Sequence, residues 1–127
     1  MVATLNTITV LLVDDHVLIR RGIRSVLDNH NDIKIVGEAS NGLEAVQYAR
    51  SLKPHVVIMD ITMPYMDGVQ ATRLIKQEHS HTKIIGLSVL ETATMREALL
   101  QAGAVAYLNK DNVGDDLYQI ITRYFPR

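Results

Sequence analysis

The chain has 127 residues and a formal net charge of −1, with 13 lysines and arginines against 14 aspartates and glutamates. This length suits one domain that buries its core without staples, and the balanced charge argues against direct binding to DNA or to an acidic membrane. The absence of cysteine excludes disulfides and thiolate metal sites. Because the N-terminus does not resemble a signal peptide and no apolar stretch approaches the roughly 20 residues that span a bilayer, we expect a soluble cytoplasmic protein.

Short β-branched runs alternate along the chain with segments of helical periodicity. The runs predict five strands, at Ile8 to Val13, Ile33 to Val36, Val56 to Met59, Lys83 to Leu87 and Val105 to Leu108. Their continuous apolar character is typical of strands that are covered on both faces, as in a parallel sheet between helices.

Five helical patterns follow these strands. Their apolar positions, in chain order, are Ile19, Ile23, Val26 and Leu27; Leu43 and Val46; Val69, Thr72 and Ile75; Met95, Ala98 and Leu99; and Leu117, Ile120, Ile121 and Tyr124. Asn41 with Glu44 resembles a capping box, the third helix is expected to begin near Asp67, and Gly103 stands where a C-terminal cap belongs.

This alternation predicts an α/β fold with the unit (βα) repeated five times. Each helix returns the chain to the same end of the sheet, so the strands pair in parallel and form a doubly wound open sheet. Ligands bind such sheets beyond the carboxyl ends of the strands. No linker or internal repeat interrupts residues 1–127, which we expect to form a single domain.

The predicted carboxyl ends carry an unusual set of polar residues. The first strand leads into Asp14 and Asp15, the third into Asp60, the fourth into Ser88 and the fifth into Lys110. Carboxylates that share one crevice repel each other, and an oxygen-preferring cation such as Mg²⁺ relieves that repulsion while leaving room for a phosphate. Lys110 and Ser88 would then meet the remaining phosphate oxygens.

Simpler roles compete for some of these residues. Asp14 or Asp15 could cap the first helix, and a serine that ends a strand is common turn chemistry. Asp60 has no helix to cap, because Pro64 places the third helix well downstream. Lys110 lies just before a helix start, where the helix dipole disfavours a cation. His16 directly follows the acidic pair.

Four motifs together resemble the receiver domains of two-component response regulators. They are "VDD" at residues 13–15, "MDITMPYMDG" at residues 59–68, Ser88, and "YLNK" ending at Lys110, and the resemblance runs from Ile8 to about Tyr124. It implies a flavodoxin-like sheet in the order 2-1-3-4-5. The stretch "DDHVLIRRGI" and the Lys110–Asp111 pair resemble the LuxR-type (NarL/FixJ-like) subfamily, whose members usually carry a C-terminal helix-turn-helix domain. No such domain follows here, so an excised receiver and a stand-alone receiver both stay open.

The resemblance also implies a role for each site residue. Asp60 would be the phosphoacceptor, and Asp15 and Asp60 with the main-chain carbonyl of Thr62 would hold Mg²⁺, assisted by Asp14 through water. Lys110 would bind a phosphoryl oxygen.

Two further residues would form the switch that responds to phosphorylation. Ser88 would move to the new phosphoryl group, and Tyr107 would follow by changing rotamer. An apolar Leu90 predicts slow hydrolysis of the phosphoryl group.

Partners follow from the same resemblance. A histidine kinase or phosphotransfer protein would dock over the site, and we expect the first helix to offer a rim of exposed arginines at Arg20, Arg21 and Arg24. Homodimers would form on phosphorylation, through the first and fifth helices or through the fourth helix and fifth strand. DNA would be bound only through a separate output domain.

Three other functions compete with the receiver interpretation. A Mg²⁺-dependent phosphohydrolase resembling the haloacid dehalogenase group needs a second Asp two residues after Asp60, where this chain has Thr62. A flavin or nucleotide module needs a glycine-rich loop after the first strand, where this chain has "DDHV". A degenerate receiver that serves only as a scaffold does not explain why all five site residues are present.

Overall fold

The computed structural model describes residues 7–61, 66–88 and 93–125, and within them leaves out the side chains of Asn112 and Asp115. The expectations for Thr62, Pro64 and Leu90 lie outside these described residues.

The strands form one five-stranded parallel sheet in the order β2-β1-β3-β4-β5, as predicted. They are β1 Ile8–Val13, β2 Ile33–Ala39, β3 Val56–Asp60, β4 Lys83–Ser88 and β5 Ala106–Asn109. The helices are α1 Val17–Leu27, α2 Gly42–Leu52, α3 Gly68–Glu78, α4 Ala93–Ala102 and α5 Gly114–Tyr124, with one short 3-10 turn at Lys110–Asn112. Among the described residues no helix combines the length and the apolar character needed to cross a bilayer.

Strand β2 is longer than its apolar run predicts. It was expected to end at Val36 but continues to Ala39, because the pairing skips one residue and then joins Gly37 to Leu11 and Glu38 to Leu12. The last strand is also displaced by one residue, and it includes Asn109 rather than Val105. Backbone pairing with a neighbouring strand therefore overrides local side-chain preference at both places.

Two apolar layers cover the sheet. Residues of β1 alternate between them, so that Leu11 packs with α2, α3 and α4, whereas Leu12 packs with α1 and α5. All five residues of β3 are buried. This double covering explains why the strands are continuously apolar and why a carboxylate at the end of β3 is withdrawn from water.

Local signals set most helix ends where they were predicted. The Asn41 side chain accepts a hydrogen bond from the Glu44 amide at 2.8 Å, and that of Asp67 accepts one from the Gln70 amide at 2.9 Å. Helix α4 ends before Gly103, whose φ of 118° suits glycine.

Ile61 and Met66, which flank residues 62–65, each accept a hydrogen bond from the first residue of a helix. The Gly68 amide donates to the Ile61 carbonyl at 2.8 Å, and the Gly42 amide donates to the Met66 carbonyl at 3.2 Å. A Cβ on Gly68 would lie 2.2 Å from the Asp60 carbonyl oxygen, so only glycine permits this close approach. The end of β3 is thereby held against the first turn of α3.

Candidate functional site

Two buried carboxylates and one lysine meet at the carboxyl edge of the sheet. Asp14 is 1% exposed and Asp60 2% exposed, at the ends of β1 and β3. Lys110 Nζ lies 2.8 Å from Asp14 Oδ2 and 3.2 Å from Asp60 Oδ1. The first residue after β5 therefore reaches across the crevice and joins the two carboxylates.

Asp15, the acidic residue that follows Asp14 in the chain, lies nearer the solvent. Its side chain is 30% exposed, and its Oδ1 lies 3.0 Å from Nδ1 of His16. The His16 amide donates to Asp14 Oδ1 at 2.8 Å. The N-cap of α1 is His16 and it makes no side-chain cap hydrogen bond, so neither aspartate is the N-cap of this helix.

The charges at this edge do not balance. Burial and the nearby charge of Asp14 raise the pKa of Asp60 to about 6, against the lowering effect of Lys110. Burial opposes the charged form of Lys110, yet its contacts with Asp14 and Asp60 hold its pKa above the ordinary value. The Lys110 ammonium therefore pairs with two carboxylates, Asp14 and Asp60, and a further cation would relieve the repulsion that remains between them.

The arrangement suits a metal ion. Asp14, Asp15, His16 and Asp60 each offer a ligand atom, and these atoms all lie within 4.8 Å of one another. Three of the four donors are carboxylates, which are the ligands of hard divalent cations. The carboxylate cluster can therefore bind a metal.

The residues expected to form the switch lie on the next two strands. Ser88, 4% exposed, ends β4 directly after Leu87, which is in register with Asp60. Tyr107 is half-buried on β5, and the Arg96 guanidinium carbon lies 5.5 Å from its ring centroid. A cation–π contact thus connects Tyr107 to helix α4.

The expected rim of exposed arginines is wrong for two of its three members. Arg20 Nε donates to Glu38 Oε1 at 2.8 Å, and Arg24 Nη2 donates to Glu38 Oε2 at 2.8 Å. Arg20 and Arg24 are consequently half-buried against β2, whereas Arg21 is exposed. The glutamate near the end of β2 draws both side chains back onto the protein.

Sequence reasoning overlooked this group of Arg20, Arg24 and Glu38. Arg20 Nη1 also donates to the Asp14 carbonyl oxygen, so the group touches the acidic site. A signal was present in the spacing, since arginines four apart share one face of a helix and a lone acidic residue follows the neighbouring apolar strand.

Comparisons with known proteins agree on one family. The family model described as the response regulator receiver domain matches residues 10–122. The chain is 41% identical over 118 residues to the response regulator GacA of Pseudomonas protegens, covering 93% of this chain and 55% of that protein.

Solved structures give the same result. The LuxR-family two-component response regulator of Aurantimonas sp. superposes with a TM-score of 0.88 at 30% identity, covering 96% of this chain and 88% of that one. The receiver domain of a NarL regulator from Mycobacterium tuberculosis gives 0.89 at 27% identity, with 97% and 100% covered. The chain spans about half the length of the curated relatives that it matches. The chain belongs to the receiver domain family of two-component response regulators, and within it to the LuxR-type subfamily.

Proposed function

We propose that this chain is a phosphoacceptor: Asp60 takes a phosphoryl group from a histidine kinase or phosphotransfer protein, in a reaction that requires Mg²⁺. One observation carries the proposal, which is the buried Asp60 carboxylate placed beside Lys110 and the carboxylates of Asp14 and Asp15. A structural carboxylate in this position would need neither the second acid nor the cation-binding geometry.

Transfer of the phosphoryl group to Asp60 requires an ionised carboxylate as the nucleophile. With a pKa of about 6, Asp60 is mainly ionised at neutral pH even before a cation binds. An Asp60 oxygen forms the bond to phosphorus as the phosphorus–nitrogen bond of phosphohistidine breaks, and the imidazole nitrogen keeps the electron pair and takes up a proton. The product is an aspartyl phosphate.

The neighbouring residues position and neutralise the phosphoryl group. Lys110 Nζ already lies 3.2 Å from Asp60 Oδ1 and would meet a phosphoryl oxygen there. Mg²⁺ would be held by Asp14, Asp15 and Asp60, together with the main-chain carbonyl of Thr62 that the family resemblance predicts as a ligand. The chemistry that Mg²⁺ supplies when bound is positive charge against the oxygens of the group in transfer.

The response to phosphorylation would pass through Ser88 and Tyr107. The new group adds roughly −1.5 to −2 charge and three acceptor oxygens next to a buried hydroxyl at the end of β4. Ser88 would turn to donate to it, and Tyr107 would change rotamer and release its contact with Arg96. That change alters the face made by α4, β5 and α5.

In this proposal the chain acts as a signalling protein and not as an enzyme with an external substrate. We propose that residues 1–127 form one receiver domain, which assists its own phosphorylation and dephosphorylation and forms homodimers when phosphorylated. DNA would be contacted through a separate output domain. The cytoplasm is the compartment that the proposal requires, because the ATP that charges a histidine kinase is found there.

The test is the intact mass of the protein after incubation with acetyl phosphate, with Mg²⁺ or with EDTA. We expect one added phosphoryl group in the wild type with Mg²⁺ and none in Asp60→Asn. Asp67→Asn is the matched control, because Asp67 is the exposed N-cap of α3 and asparagine caps equally well. A phosphoryl group on Asp60→Asn, or none on the folded wild type, would refute the proposal.

A further inference from the structure

A half-buried arginine, Arg20, lies next to the acidic cluster of Asp14, Asp15 and Asp60. The Arg20 side chain is 14% exposed, and its guanidinium makes two different contacts. Nε donates to Glu38 Oε1 at 2.8 Å, and Nη1 donates to the main-chain carbonyl oxygen of Asp14. One planar group therefore links α1, β2 and the end of β1.

The carbonyl that Arg20 binds has a special place in the site. The Asp14 carbonyl and the Asp15 amide belong to one planar peptide unit, so a bond that holds the carbonyl also sets the orientation of that unit. The Asp14 amide, one unit earlier, donates to the Ala39 carbonyl at 3.0 Å. With its two flanking peptide units held, Asp14 has little freedom, and the direction in which Asp15 leaves the strand is determined.

Glu38 aims the guanidinium at this carbonyl. Its Oε1 accepts from Arg20, while its Oε2 accepts from Nε and Nη2 of Arg24 at 3.0 and 2.8 Å. Burial disfavours ionisation of Glu38, but the hydrogen bonds and charges of the two arginines hold its pKa below the ordinary value. The carboxylate therefore stays ionised and keeps Arg20 in place at neutral pH.

The two arginines differ in their contact with the site and in their exposure. Both pair with Glu38, but of the two only Arg20 has a described contact with Asp14. Arg24 is also more exposed, at 38% of its side chain. Arg24 thus offers a control that shares the ion pair and lacks the contact with the site.

We propose that Arg20 is a positioning residue for the phosphorylation site: by holding the Asp14 carbonyl, it sets the direction in which Asp15 presents its carboxylate to a divalent cation. The inference rests on the proposed function, since it assigns Asp15 to cation binding. Residues that orient a metal ligand typically change affinity by about 10- to 100-fold when they are replaced.

Two replacements of Arg20 separate position from charge. Arg20→Lys keeps the charge, but a single ammonium cannot reproduce the planar fork that reaches Glu38 and Asp14 together. Arg20→Gln removes a positive charge near the acidic cluster, which by itself would strengthen cation binding. A weakening in both variants can therefore arise only from lost geometry.

The experiment measures Mg²⁺ binding in the full chain. Because the chain contains no tryptophan, melting is followed by circular dichroism across a Mg²⁺ titration at constant ionic strength. In parallel, initial rates of phosphorylation by acetyl phosphate are measured by intact mass across the same titration. The two series give the half-saturating Mg²⁺ concentration and the maximal rate separately for wild type, Arg20→Lys, Arg20→Gln and Arg24→Lys.

We expect both Arg20 variants to raise the half-saturating Mg²⁺ concentration by about 10-fold or more, and Arg24→Lys to stay within about twofold of wild type. The maximal rate at saturating Mg²⁺ should change much less than the half-saturating concentration. An Arg20→Lys value within twofold of wild type, or an equal shift in Arg24→Lys, would overturn the positioning role.

The outcomes also separate this inference from the proposed function. If the wild type accepts no phosphoryl group, the melting titration still compares the four proteins for Mg²⁺ alone. If Arg20→Lys does not fold, Arg20→Gln decides. Loss of folding in both would assign Arg20 to the stability of the fold and overturn the proposal.

Discussion

Replacing the proposed phosphoacceptor should make the metal-free protein more stable. The pKa of Asp60 is raised to about 6 from an ordinary value of 3.8, so the native state holds the proton more tightly than the unfolded chain does. A pKa shift of one unit corresponds to about 1.4 kcal/mol, so ionisation of Asp60 in the folded protein lowers the free energy of unfolding by about 3 kcal/mol. Asp60→Asn removes that cost, and Lys110 keeps its partner Asp14 at 2.8 Å.

The sign of the effect defines its pH dependence. As pH rises from about 4 to about 6, the free energy of unfolding of the wild type falls by this amount, and the decrease is complete above that range. The variant should therefore match the wild type near pH 4 and exceed it by up to about 3 kcal/mol at pH 7.5.

Urea unfolding followed by circular dichroism, in EDTA at pH 4, 6 and 7.5, measures the difference directly. Asp67→Asn is the control, and its stability should follow the wild type at every pH. Saturating Mg²⁺ should shrink the gap at pH 7.5, because the cation offsets the repulsion that the asparagine removes. An Asp60→Asn protein that is no more stable than wild type at pH 7.5, or a gap that is the same at every pH, would refute the reasoning.

Three further outcomes are expected. Mg²⁺ should raise the melting temperature more at pH 7.5 than at pH 5, because Asp60 with its pKa of about 6 is protonated at the lower value, and an equal rise would contradict this account. Thr72→Val should stabilise the protein by about 1 kcal/mol in urea unfolding, because Thr72 Oγ1 is buried with no hydrogen-bond partner among the described residues, whereas Thr82→Val, which loses a bond to a carbonyl, should not. Gly86→Ala should cost about 1 to 3 kcal/mol, since a Cβ there would lie 1.9 Å from Leu99 Cδ2, and a cycle with Leu99→Ala that shows no coupling would count against the clash.

The sheet could be predicted from the sequence because its signals are local. The alternation of β-branched runs and helical stripes is enough to predict parallel strands, and the capping residues Asn41 and Asp67 placed two helix starts correctly. The order of the strands came from the resemblance rather than from periodicity. Strand β2 was predicted too short, because Gly37 and Glu38 are held by pairing with β1 and not by their own preference.

The electrostatics of the site could be foreseen only in outline. That carboxylates would collect at the strand ends follows from parallel topology, whereas the raised pKa of Asp60 depends on how deeply its neighbours bury it. The four-residue spacing of Arg20 and Arg24 places both on one face of α1, but it could not show that Arg20 turns back onto the protein. Its partner Glu38 lies 18 positions away, and only the crossing of α1 over β2 decides that the side chain turns inward.

The hollow above Gly86 constrains how helix α4 can respond to the site. Leu99 is fully buried, and its side chain fills the space that a side chain on Gly86 would occupy. Helix α4 cannot shift by small amounts, because any displacement first has to remove the Leu99 side chain from a close-packed layer on the sheet. We therefore expect α4 to have a few discrete positions, so that loss of the contact between Tyr107 and Arg96 would be followed by an all-or-none movement of the helix rather than a graded one.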